Sequence, residues 1–183
     1  MSETNKQYDA AAKACRNIFI SKTKDYGTSW RVLRTISIAD QLYIKAKRIR
    51  TLQETDVTKV GEDKAGEFQA MVNYGIIGLI QLSIGPDAPE ELPVGEAGAR
   101  YDEQLAVARE IMLAKNHDYG EAWREISQES FVDLILMKIL RIRQIVANEG
   151  RTLISEGIDS NFIDIINYSL FALILIDEGQ HSA

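Results

Sequence analysis

Apolar residues recur every three to four positions through six stretches of this chain, and nowhere alternate with polar ones for long in the manner of a strand. The spacing predicts helices over residues 6–23, 37–54 and 62–84, and again over 100–115, 129–149 and 159–178. In the fifth stretch Ile135, Ile139, Ile142 and Val146 share one face. Gly150, following Glu149, suits a helix C-cap. Ser37 and Ser130, each with an acid three residues on, have the spacing of N-caps. All three prolines (Pro86, Pro89, Pro93) fall between the third and fourth stretches, in a segment without periodic apolar residues. That segment, 86–98, is expected to link a helical repeat over 1–85 to a second over 99–183.

The two halves repeat one another. Lys22, Asp25, Tyr26, Gly27, Trp30, Arg31, Ser37, Asp40, Lys45, Arg48, Ile49 and Arg50 return as Lys115, Asp118, Tyr119, Gly120, Trp123, Arg124, Ser130, Asp133, Lys138, Arg141, Ile142 and Arg143, at a constant offset of 93. Asn73-Tyr74 and Asn167-Tyr168 match at 94. A three-helix unit of this size cannot bury its apolar face alone, so the copies should pack on one another. The expected fold is all-α: two tandem three-helix repeats forming a pseudo-symmetric helical bundle, with any pocket at the junction present twice. The matched residues are largely polar or aromatic, whereas a repeat kept for packing alone would match mainly at apolar positions.

Composition narrows the function. The net charge of −6 argues against a broad surface for duplex nucleic acid, but leaves room for small basic pockets. Cys15 is the only cysteine, which fits a reducing cytoplasm. The polar start, residues 1–6, gives the expectation of no signal peptide. The longest apolar run, 170–176, is far shorter than the roughly 20 residues of a membrane span, so no membrane partner is expected. No Ser–His–Asp set, Cys–His cluster or Gly-rich phosphate loop is present.

Three candidate groups remain. Asp25, Tyr26 and Trp30, with Asp118, Tyr119 and Trp123, belong to an Asp-Tyr-Gly-x-x-Trp turn after the first helix of each copy. The aromatic rings either stack on a base or plug the core, and the acids bind either a ligand or their own turn. On the second helix, Asp133, Arg141 and Lys138 fall near about 0°, 80° and 140°, so a carboxylate and two cations share a broad face suited to phosphate. Asp40, Lys45 and Arg48 are their counterparts. Arg143, near about 280°, points to solvent or to the other copy. The bland alternatives are helix capping for the acids and salt bridges for the cations. On the third helix Asp164, Asn167 and Tyr168 share a face able to hold a divalent ion or a nucleotide, or else to bond across a helix interface. Copy one reads Ala70, Asn73, Tyr74, so it lacks the acid, with Glu67 three residues earlier on the same face as a candidate substitute. Copy two is therefore the expected fuller site.

Lys-x-x-Asp-Tyr-Gly-x-x-Trp, then Asp-x4-Lys-x-x-Arg, then an acid shortly before Asn-Tyr resembles the nucleotide modification associated domain 1 family, a helical domain of phages and bacteria linked by association to nucleotide or DNA-base modification. The helical pattern also looks like the MazG-type all-α nucleoside triphosphate pyrophosphohydrolases. That second resemblance implies Mg²⁺ held by Asp133 and Asp164, with Lys138 and Arg141 on phosphate and Tyr119 or Trp123 on the base. This chain departs from that group in carrying one acid, not a Glu-x-x-Glu pair, on the second helix. The expectation is a nucleotide-handling protein hydrolysing a nucleoside phosphate with Mg²⁺. The alternatives are a non-catalytic nucleotide-binding or adaptor module for a base-modification enzyme, and a purely structural helical repeat. A homo-oligomer is compatible with each.

Overall fold

The computed structural model describes residues 2–183 apart from 56, 58, 60 and 62. Among the described residues there are helices and no strands: α1 (Glu3–Tyr26), α2 (Thr35–Thr55), α3 (Lys64–Ile84), α4 (Val94–Tyr119), α5 (Gln128–Ala147) and α6 (Ile158–Asp177), with 3-10 turns at Ser29–Val32 and Ala122–Glu125. Glu62, the expected start of the third helix, lies outside the described residues. α3 begins at Lys64, where the Asp63 carboxylate accepts the Gly66 N–H.

Two expectations about ends are corrected. Ser37 and Ser130 are not N-caps, because both helices start earlier; for α5 the cap is Ser127, whose hydroxyl accepts the Ser130 N–H. The linker is shorter than 86–98, since α4 starts at Val94. The rest is no loose tether. The Arg31 guanidinium donates to the carbonyls of Gly85, Ala88 and Pro89 and to the Gln81 side chain, fixing the turn after α3. Thr28 donates to the Glu90 carbonyl and accepts the Leu92 N–H. Gly150 still closes α5, donating to the Ile145 carbonyl, although the helix itself stops at Ala147.

α3 and α6 form the centre, with α2 and α5 packed across them and α1 and α4 on their other side. The central pair approaches closely because α3 carries glycines at the contact. A methyl group on Gly78 would lie 2.7 Å from the Phe162 ring, and one on Gly75 would lie 2.6 Å from Ile166. α6 is, among the described residues, the one helix long and apolar enough to cross a membrane, yet 78% of that stretch is buried in the bundle. Its position in the core accounts for its composition.

The repeat is visible as an exchange of polar partners between copies. Tyr8 Oη donates to Asn167 Oδ1 (2.8 Å), whose Nδ2 donates to the Ala108 carbonyl (3.0 Å). Its counterpart Tyr101 donates to Asn73 Oδ1 (2.7 Å), whose Nδ2 donates to the Cys15 carbonyl (3.0 Å). Arg109 pairs with Asp9 at 2.7 Å and Arg16 with Asp102 at 2.5 Å. Arg50 pairs with Asp133 at 2.5 Å and Arg143 with Asp40 at 2.7 Å. Each link occurs twice with the copies exchanged, as a two-fold relation requires. The buried Tyr–Asn links carry weight, because an orphaned polar group there is costly. The outer ion pairs, being partly solvated, contribute little.

Candidate functional site

In each copy the first helix ends on Tyr26 or Tyr119, and Gly27 (φ 67°) or Gly120 (φ 61°) reverses the chain into a 3-10 turn. These left-handed φ values favour glycine and explain its place in the motif. The turn throws the two tyrosines outward, 72% and 76% exposed, and brings the tryptophans back over the core. Asp25 is exposed, and Asp118 is bonded to His117 Nδ1 at 3.1 Å.

The copies then diverge. Trp123 is stacked on Phe171 at 4.2 Å with an interplanar angle of 6°, and the Arg124 guanidinium covers its other face at 4.4 Å. Both faces are taken, so the expectation that Trp123 stacks on a base is corrected. Trp30, half-buried against the core, meets Phe19 tilted by 43° at 6.1 Å. The indole Nε1 of each tryptophan is buried without a hydrogen-bond partner among the described residues.

The lysines follow the same divergence. In copy two the buried Asp164 carboxylate takes Lys115 Nζ on one oxygen and Lys138 Nζ on the other, each at 2.7 Å. Burial pulls the Lys115 ammonium down, but its hydrogen bond to Asp164 and the negative charges around it, that of Asp164 first, together outweigh this and hold it above its ordinary value. Tyr168 packs against Phe131, and burial, then the Asp164 charge, pushes its phenol up. In copy one the buried Glu67 takes Arg48 at 2.5 Å and Lys45 at 3.4 Å. Ala70 stands at the position of Asp164, and Lys22, the counterpart of Lys115, has no ion-pair partner among the described residues.

The result is a cavity of about 530 Å³ in copy one, bounded by α1, the 3-10 turn, α2 and α3. It is lined by Lys22 and Lys45 together with Tyr26, Trp30, Tyr74 and Phe19, and Ala70 stands at its wall. The volume lies inside the range usual for small-molecule sites, about 300–1,000 Å³. Cations and aromatic rings around one hollow suit a ligand with both an anionic and a planar part. The cavity therefore belongs to the copy that the missing acid marked as the poorer one.

Several predicted residues are not brought to any such site. Asn167 and Asn73 have both amide ends engaged in the Tyr–Asn links, so neither offers a group to a ligand, although Asn73 borders the cavity. Asp133 and Asp40 neither cap their helices nor face the cation cluster; they bridge to Arg50 and Arg143 of the other copy. Arg141 lies exposed beside Met137. Asp133 and Asp164 thus face different neighbours, and the two-carboxylate Mg²⁺ set does not form. Among the described residues no group of three or more His, Cys, Asp or Glu is placed to hold a metal. Asp164 and Glu67 are each already matched by two cations, so these residues do not fit a divalent ion.

Residues outside the three candidate groups also matter. Lys22 and Lys115 repeat at the offset of 93 and complete each cation pair, but lie on the first helix, away from the basic face considered. Tyr8-Asp9 and Arg16 likewise return as Tyr101-Asp102 and Arg109 at 93.

A family model described as nucleotide modification associated domain 1 matches residues 22–82 and again 115–176, together about two thirds of the chain. No curated protein matches, which leaves the MazG-type resemblance without support, and no solved structure matches either.

Proposed function

The chain belongs to the nucleotide modification associated domain 1 family, as two tandem copies, and from that premise we propose that it is a nucleotide-binding module whose one open site is the copy-one cavity. The observation that carries this reading is the meeting of Lys22 and Lys45 with Tyr26, Trp30 and Tyr74 around a single hollow. Lysine ammonium groups supply point charges for phosphate. Tryptophan and tyrosine supply a flat apolar wall for a base, worth roughly 1–3 kcal/mol per stacked base in single-strand binders. The carboxylates within reach are neutralised by lysine and arginine. The module therefore holds a phosphorylated nucleoside for a base-modifying partner and is not a metal-assisted hydrolase.

Thermal unfolding with a panel of nucleosides and nucleoside phosphates tests this. At a hundredfold excess over Kd a ligand of the folded state adds about 2.7 kcal/mol, and for a chain of this size each kcal/mol raises Tm by about 2–4 °C. Stabilisation by phosphorylated nucleosides, lost in Lys22→Ala, is expected, with no product on chromatography after incubation with Mg²⁺. Stabilisation by none of them rejects the reading, and turnover would restore the hydrolase.

A further inference from the structure

The two cation clusters differ by the displacement of one acid along one helix. In α6 the pair of positions reads Asn161 and Asp164; in α3 the counterparts read Glu67 and Ala70. Asp164 sits between Lys115 and Lys138, 2.7 Å from each. Glu67, one turn nearer its helix start, reaches Lys45 and Arg48 instead. Asn161, which replaces it in copy two, turns its amide to the Gly157 carbonyl and takes no part in the cluster. Each copy thus sets one acid against two cations, two lysines in copy two and a lysine with an arginine in copy one. Only in copy two does the acid bond both lysines.

We infer that Asp164 is a built-in anion that occupies, in copy two, the subsite that a ligand's phosphate occupies in copy one. The molecule then has one open site and one self-filled twin. This rests on the reading of the copy-one cavity as a nucleotide site and deepens it by naming the class of phosphate. Lys22, and Lys45 which Glu67 holds only at 3.4 Å, both line the cavity and together match one phosphate monoester, which carries about −1.5 to −2 at neutral pH. A triphosphate would bring further anionic groups, and among the described residues the cavity lining offers no cation besides Lys22 and Lys45. The preferred ligand is a nucleoside monophosphate, its ring lying toward Trp30.

The twin would not serve a base even if emptied, because Phe171 and Arg124 cover both faces of Trp123. Removing the Asp164 carboxylate should therefore create a site for phosphate alone. Moving a carboxylate into copy one should destroy the site already there. Ala70 is partly exposed at the cavity wall, so an aspartate there can reach solvent or the lysines without entering the core.

Isothermal titration of the full chain with nucleoside monophosphates, and separately with inorganic phosphate, tests this. The wild type should bind one nucleotide. Ala70→Asp should weaken both ligands at least about tenfold, the scale of one lost charge-assisted hydrogen bond, without lowering Tm. Asp164→Ala should gain a second, weaker phosphate site while keeping one nucleotide site. Should Asp164→Ala fail to fold, Ala70→Asp and Lys22→Ala, which alter only the open cavity, still decide the matter. Nucleotide binding equal in wild type and Ala70→Asp would overturn the subsite and leave the nucleotide reading standing. Phosphate binding blocked by Ala70→Asp, with no nucleotide bound, would keep the subsite and sink the nucleotide reading. A folded Asp164→Ala with no added phosphate would overturn the twin, and a wild type that binds neither ligand would end both.

Discussion

Replacing Tyr8 by Phe isolates one buried link between the copies. The Tyr8 ring has no exposed surface, and its hydroxyl is 2.8 Å from Asn167 Oδ1. The substitution keeps the ring and deletes one oxygen, leaving the Asn167 carbonyl oxygen buried without that donor. An acceptor orphaned in this way costs about 1–3 kcal/mol. At about 2–4 °C per kcal/mol for a chain of this length, Tm should fall by about 2–12 °C. Urea unfolding gives the free energy directly, and an unchanged slope with denaturant confirms that the native state alone has lost stability. Tyr119→Phe, at a residue 76% exposed, serves as the control and should change stability by less than about 0.5 kcal/mol. Because Asn167 is here a structural residue, Tyr8→Phe should leave nucleotide affinity unaltered. A loss of affinity with no loss of stability would refute this and return Asn167 to the ligand.

Two other outcomes follow from the packing. Arg31→Ala should speed proteolytic cleavage within residues 85–93, because three backbone carbonyls of that segment lose their common donor. Arg31→Lys should not restore protection, as an ammonium cannot reproduce the planar fork; cleavage at the wild-type rate would count against the clamp. Alkaline pH should destabilise the fold. Burial pushes the Cys15 thiol from an ordinary 9.0 up to about 12 and raises the Tyr8 and Tyr101 phenols well above 10.0. The folded chain keeps these protons where the unfolded chain has lost them. Stability should thus be complete below about pH 9 and fall toward pH 12, by up to about 1.4 kcal/mol per pH unit for each group. Cys15→Ala should delay the onset toward pH 10, whereas a flat profile across this window would contradict the burial of all three.

The all-α repeat was legible in the sequence because helical periodicity and a constant offset are one-dimensional signals. The partners of the polar residues were not, because pairing depends on which helices face one another. Asp40 and Asp133 looked like capping acids until the true helix starts, two residues before Ser37 and Ser130, placed them on the seam between copies. Asn73 and Asn167 looked like ligand groups because their real partners, Tyr101 and Tyr8, lie on the first helix of the opposite copy. The match of Tyr8-Asp9 with Tyr101-Asp102 at an offset of 93 is the trace of this pairing in the sequence. The missing acid at Ala70 was visible, but its sense was not. Judged as a ligand to metal, an acid there completes a site; judged against two lysines, it closes one.

The most direct test of the open site is a crystal structure of the chain with a nucleoside monophosphate bound. The phosphate is expected between Lys22 and Lys45, above Ala70, with the base toward Trp30 and the Asp164 bridge in copy two intact. Density for the nucleotide at the Asp164 cluster, or on the surface away from Lys22, would contradict the account.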